Sequence, residues 1–140
     1  MFEKIKKNLS GILIGSVLVG GLLVMVLGRS GTPTGARNAD DVVIPEYTEI
    51  AQQGNELFNE FCAACHGENA AGTDVGPTFL NRIYRAGHHP NDTFMRVPVQ
   101  GARAHHWSFG DMPPVEGITQ DQILKIVHYV RELQRANGVL

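Results

Sequence analysis

The strongest constraint on this chain is the run Cys62-Ala63-Ala64-Cys65-His66, which reads C-x-x-C-H. The two cysteines stand three apart, so a single helical turn points both sulfurs the same way. This spacing, with histidine directly after it, is the attachment signature of a c-type haem. Each sulfur can add across one vinyl group of the same porphyrin, and His66 follows in position to offer its imidazole to the iron. Cys62 and Cys65 are the chain's whole cysteine complement. A four-cysteine zinc site is therefore excluded, and a two-cysteine, two-histidine finger needs its histidines about 3–5 residues apart. His88 and His89 are adjacent, as are His105 and His106. A thioredoxin-like redox pair stays open as the alternative, although nothing before Cys62 reads as the strand that should lead into one.

The amino terminus imposes a second constraint. Lys4, Lys6 and Lys7 precede a stretch from Asn8 to Gly28 with no charged residue, built largely on Ile, Leu and Val. As a helix rising ~1.5 Å per residue it is about 30 Å long, enough to cross a hydrocarbon core. A cleaved signal peptide would need a prompt A-x-A-like site. Only Thr34-Gly35-Ala36 and its neighbours approach one, several positions too late, so residues 1–28 are expected to be an uncleaved signal-anchor helix. The Gly11-x-x-x-Gly15 spacing would let another membrane helix approach closely, though ordinary glycine content explains it as well. Three lysines before the span, against Arg29 and Arg37 after it, predict a cytoplasmic amino terminus and an extracytoplasmic remainder. Residues 29–45 contain Gly31, Pro33, Gly35 and Pro45 without apolar periodicity and read as a flexible linker. Its 17 residues could reach roughly 55 Å extended and about 23 Å as a coil. Val42-Val43-Ile44 is the one part that could instead stick to a partner.

From Glu46 the pattern turns helical. Ile50, Gly54, Leu57, Phe58 and Phe61 share one face of a helix that runs into the cysteine motif. A last helix is signalled by Thr119 as N-cap with Gln122 three residues on, the pattern of a capping box. Its apolar stripe is Ile123, Ile126, Val127, Val130 and Leu133, and Gly138 is a plausible stop. Gly54 inside a helix costs ~1 kcal/mol against alanine, which suggests a crossing where another backbone comes close, near Ile126 or Tyr129. Pro98 argues that the segment from Asn91 to Gln100 is bent or short.

Taken in order, Gly54-x-x-x-Phe58, Cys62-x-x-Cys65-His66-Gly67, Gly76-Pro77, Met112-Pro113-Pro114 and Ile126-x-x-Tyr129 resemble class I cytochrome c across essentially all of Glu46 to Leu140. The resemblance implies an all-α cytochrome c fold around one covalently attached haem c, occupying residues 46–140. It implies that the first and last helices cross near the glycine and aromatic positions. It also implies that Cys62 and Cys65 hold the porphyrin and that His66 and Met112 are the axial ligands, with prolines stiffening the methionine loop. A thioether opposite a histidine favours ferrous iron and raises the potential. Pro77 stands where the family supplies a carbonyl to the iron-bound histidine. Trp107 stands where small bacterial members bond a haem propionate, with core packing an equal alternative. Arg103 could meet a propionate too, though surface exposure is the plainer reading. Met95 reads as core, His105 and His106 as loop residues rather than ligands, and His88, His89 and His128 as surface residues.

Together these features point to a membrane-tethered carrier of single electrons, not an enzyme, on the outer face of a bacterial cytoplasmic membrane, where the family attaches its haem. Its expected partners are the membrane and redox proteins, including subunits of a quinol-oxidising or oxidase complex. A net charge of −2 gives no sign of nucleic acid, and no small-molecule substrate is expected. From Pro45 on there are 7 basic and 11 acidic side chains and one lysine, Lys125, so docking through a ring of lysines is not available. Four arginines and four histidines against Asp92 between Arg82 and His106 make a basic middle that could face an acidic partner. The alternative function is a ligand-binding haem protein, a gas sensor or peroxidase-like enzyme, with an open sixth position.

Overall fold

The computed structural model describes residues 39–140, so the anchor expected over residues 1–28 and most of the linker lie outside the described residues. Among the described residues four α-helices follow one another: α1 (Glu49–Phe61), the single turn α2 (Ala63–His66), α3 (Asn91–Gln100) and α4 (Gln120–Ala136). Short 3-10 turns at Ala39–Asp41, Glu68–Ala70 and Arg82–Tyr84 shape the connections. Among the described residues there is no β-strand, only an isolated antiparallel bridge between Ala102 and Met112. The fold is therefore all-α, as expected. Among the described residues no helix is long and apolar enough to cross a membrane.

The start of α4 is set by its cap. The Thr119 hydroxyl accepts from the Gln122 N–H at 3.3 Å, and the Gln122 side-chain oxygen accepts from the Thr119 N–H at 2.9 Å. Two backbone donors that a helix leaves without partners are thereby satisfied. At the other end Gly138 takes φ +68 and Val139 N–H closes on Gln134 O at 2.9 Å, so the helix stops where glycine permits the reversal.

α1 and α4 pack across each other through Phe58, Tyr129, Val130 and Leu133, all at most 1 % exposed. Gly54 marks the closest approach. A Cβ there would collide with the Lys125 carbonyl and stand 3.0 Å from Tyr129 Cβ, so the crossing expected at this glycine is present. Phe58 and Tyr129 meet with ring centroids 5.3 Å apart, and Tyr47 reaches Tyr129 at the same separation.

Packing also starts earlier than the chemistry of the linker suggests. Val42 is only 8 % exposed and belongs to the core. Val43 exchanges hydrogen bonds with the Asn137 side chain, at 3.0 Å from its N–H and 2.8 Å to its carbonyl. The last residues of the 29–45 stretch are therefore clamped to the end of α4, where a half-buried Asn supplies a donor and an acceptor that mimic a strand neighbour.

α4 carries a buried polar pair inside its apolar stripe. Arg131 donates to Tyr84 O (2.8 Å), His89 O, Asn91 Oδ1 (2.8 Å) and Gln134 Oε1 (2.6 Å). Its guanidinium lies 4.7 Å from the centre of the Phe94 ring. Gln134, fully buried, donates to Phe79 O at 2.8 Å. These bonds satisfy carbonyls that the irregular segment from Phe79 to His89 would otherwise bury without partners. α3 runs the full length from Asn91 to Gln100 with Pro98 inside it, so the proline does not shorten this segment.

Two outcomes follow for the stability of the haem-loaded protein, each read by guanidinium unfolding. Gly54→Ala is expected to cost about 1–3 kcal/mol, because a backbone carbonyl must move to admit the methyl; an unchanged midpoint would mean the crossing is not tight. Arg131→Met keeps the bulk of the side chain and removes its donors, taking a partner from the part-buried His89 carbonyl and from the buried Gln134 side-chain oxygen. A loss of about 3 kcal/mol is expected, and a variant as stable as the parent would show that these bonds contribute nothing net.

Candidate functional site

The site is built by two segments that meet at one cavity. The first begins at the cysteine motif, which α2 folds into a single helical turn, with His66 N–H bonded to Cys62 O at 2.9 Å. Gly67 follows with φ +77, and a Cβ on it would run into Gly72, so only glycine lets the chain turn away behind His66. The chain then returns through Thr78, whose hydroxyl donates to Ala70 O at 2.9 Å and accepts from Leu80 N–H at 3.0 Å. That return places the Pro77 carbonyl 2.9 Å from Nδ1 of His66.

A carbonyl can only accept, so Nδ1 of His66 carries the proton and Nε2 keeps its lone pair. His66 is 6 % exposed. Burial pushes its pKa below the ordinary histidine value, partly offset by the bond to Pro77. The Phe79 ring stacks against it with centroids 4.3 Å apart, and Phe79 in turn touches Phe58 and Phe94. The imidazole is thus neutral, oriented and ready to bind a metal through Nε2, the arrangement usual for metal-ligating histidines.

The second segment carries Met112. Its backbone pairs with Ala102 through two hydrogen bonds of 2.9 Å. Val115 N–H bonds Pro98 O at 2.8 Å, and Ala104 N–H bonds the Asp111 carboxylate at 2.9 Å. Met112 lines the same two cavities as His66. The larger, about 740 Å³, is bordered by Pro77, Tyr84, Phe94, Val97, Trp107 and Phe109 among others, a size suited to an organic cofactor. The smaller, about 50 Å³, is closed by Cys62, Phe79, Ile123, Ile126 and Val127.

The cysteines differ in setting. Cys62 is half-buried at the smaller cavity, while Cys65 is exposed and borders neither cavity. Burial, helped by the neighbouring Cys65, pushes the Cys62 thiol up to about 12. A redox-active C-x-x-C pair requires the opposite, a thiol lowered toward neutrality. This setting argues against the thioredoxin-like alternative.

Trp107 borders the larger cavity, and its Nε1–H donates to the Tyr84 hydroxyl at 3.0 Å. Arg103 is exposed at the same rim. His88 and His128 are exposed, in keeping with their reading as surface groups, and so are the loop residues His105 and His106, whereas His89 is only half-exposed; all but His128 line the larger cavity. The His89 Nδ1–H donates to Ile83 O at 2.7 Å. Burial lowers its pKa below the ordinary value, and the nearby His88, His105 and Arg131 push the same way. Tyr84, His89 and Arg131 are the residues that the linear pattern missed. Tyr84 and His89 sit in a loop without periodicity, and Arg131 is a charged residue in a helix, normally a solvent-facing one.

The residues fit a haem. They provide two thiols one turn apart, a neutral imidazole with its lone pair free, a methionine on the same cavities, and apolar and aromatic walls. Comparison with known proteins bears on the same region. The family model for cytochrome c matches residues 51–134, a span running from α1 through most of α4. No curated protein and no solved structure matches the chain. With the match covering more than half the sequence and the attachment motif within it, the chain belongs to the cytochrome c family.

Proposed function

We propose that this cytochrome c carries single electrons while tethered to the outer face of a bacterial membrane, with His66 and Met112 as the residues that would bind its haem iron. Haem, when bound, supplies iron that cycles between the ferric and ferrous states by one electron. The chain's own residues do the rest. Cys62 and Cys65 would hold the porphyrin through thioethers. Pro77 keeps the His66 imidazole in the tautomer that presents Nε2, and Phe79 limits its rotation. The Ala102 bridge and the prolines after Met112 hold the thioether in a defined place, so neither ligand needs to move when the charge changes. Phe94, Val97, Ile123 and Ile126 exclude water, which favours the less charged, ferrous state.

The observation that carries this reading is that His66 and Met112 border the same two cavities on segments anchored independently of each other. The tether rests on the lysines and the long uncharged run at the amino terminus. Its consequence is a carrier confined near membrane-bound redox partners, either as a swinging shuttle or as a subunit of a quinol-oxidising or oxidase assembly.

The test is the visible spectrum of the detergent-solubilised protein, ferric and ferrous, with and without carbon monoxide. A ferric far-red sulfur-to-iron band and no response to carbon monoxide are expected. Met112→Ala is expected to retain covalent haem, lose that band and bind carbon monoxide. A parent protein that binds carbon monoxide readily would overturn the ligand assignment and favour a ligand-binding haem protein.

A further inference from the structure

Three histidines converge at the larger cavity, which His66 also lines. His88, His89 and His106 each offer one ring nitrogen, and these nitrogens all lie within 4.8 Å of one another. Nε2 of His88 is 3.3 Å from Nε2 of His106. Two nitrogens bound to one tetrahedral ion at about 2.0–2.1 Å stand roughly 3.3–3.4 Å apart. That pair already has the required separation, and the third nitrogen stands within 4.8 Å of both. His105 packs beside His106 with ring centroids 4.1 Å apart.

The scaffold is fixed without any ion. Nδ1–H of His89 donates to Ile83 O at 2.7 Å, and Nδ1–H of His105 donates to Arg103 O at 2.7 Å. Each bond leaves Nε2 as the free donor atom, and backbone carbonyls hold metal-binding imidazoles in this way. Arg131 fastens the His88–His89 loop to α4 through Tyr84 O and His89 O. The Ala102–Met112 bridge and the Ala104–Asp111 bond fasten the loop that carries His106. Two loops anchored to different parts of the fold thus present imidazoles to one point.

We propose that His88, His89 and His106 form a second metal site, for a divalent transition-metal ion of the zinc or copper class, with water or His105 completing its shell. Imidazole nitrogens suit such ions, whereas calcium and magnesium need carboxylate and carbonyl oxygens that the cluster lacks. The positive charge of the neighbouring arginines opposes the ion, so the site is weaker than a structural zinc centre. It shares no ligand with His66 or Met112 and stands whether or not Met112 binds iron.

The haem-loaded, full-length protein in detergent is to be dialysed against graded zinc sulfate, with zinc and haem quantified in the retained fraction. One zinc per haem is expected. His88→Gln and His106→Gln, each with its haem spectrum intact, are expected to weaken binding by more than about tenfold. His128→Gln, an exposed histidine on α4 remote in sequence from the cluster, is expected to bind zinc as the parent does. A parent that retains no stoichiometric zinc overturns the proposal, and so does zinc binding that survives unchanged in both cluster variants. In either case the histidines would be no more than hydrogen-bonded neighbours.

Discussion

The crossing of α1 over α4 at Gly54 is the contact on which the rest of the structure hangs. With no side chain at that point, the two helices approach until the Lys125 carbonyl fills the space a methyl group would take. The aromatic residues flanking the contact then close over it, Phe58 from one helix and Tyr129 from the other. Because α1 runs directly into the cysteine motif, the angle of the crossing fixes where Cys62 and His66 begin. The same contact fixes α4, whose apolar stripe also supplies Ile123, Ile126 and Val127 to the smaller cavity. Position of the motif and the wall opposite it therefore come from one interaction.

The site joins two forms of rigidity. His66 is immobilised by a directional bond and an aromatic neighbour, whereas Met112 is immobilised by its backbone. The difference suits the chemistry of each side chain. An imidazole must present one of two nitrogens, so its tautomer needs a partner. A thioether has no proton to direct, and holding its main chain is enough. Charged groups near the cavity are handled separately, by placing Arg131 beneath the loop that they occupy and satisfying it with carbonyls rather than a carboxylate.

Much of this was legible in the linear pattern because it rests on local chemistry. The capping box at Thr119 and Gln122, the helical face through Gly54 and Phe58, and the cysteine motif all involve residues within a turn or two of each other. Pro77 and Met112 could be singled out only through the family resemblance, since nothing in their immediate neighbours marks a ligand or a ligand's partner. The Arg131 network was hidden because periodicity assigns a charged residue on a helix to solvent, while its four acceptors lie up to 47 positions away. Val42 was obscured similarly. Its neighbours have a linker's composition, and its place in the core depends on an asparagine 94 residues downstream of Val43.

The bridge between Ala102 and Met112 has a consequence for how the family can vary. It ties off the intervening residues as a closed loop whose two ends meet, so the place of the methionine is set at the knot and not by what lies between. Loop closure changes only slowly in free energy with length. Residues 103–111 can then lengthen, shorten or exchange their histidines and aromatics while the thioether stays where it is. The outer face of this loop can be rewritten without moving Met112.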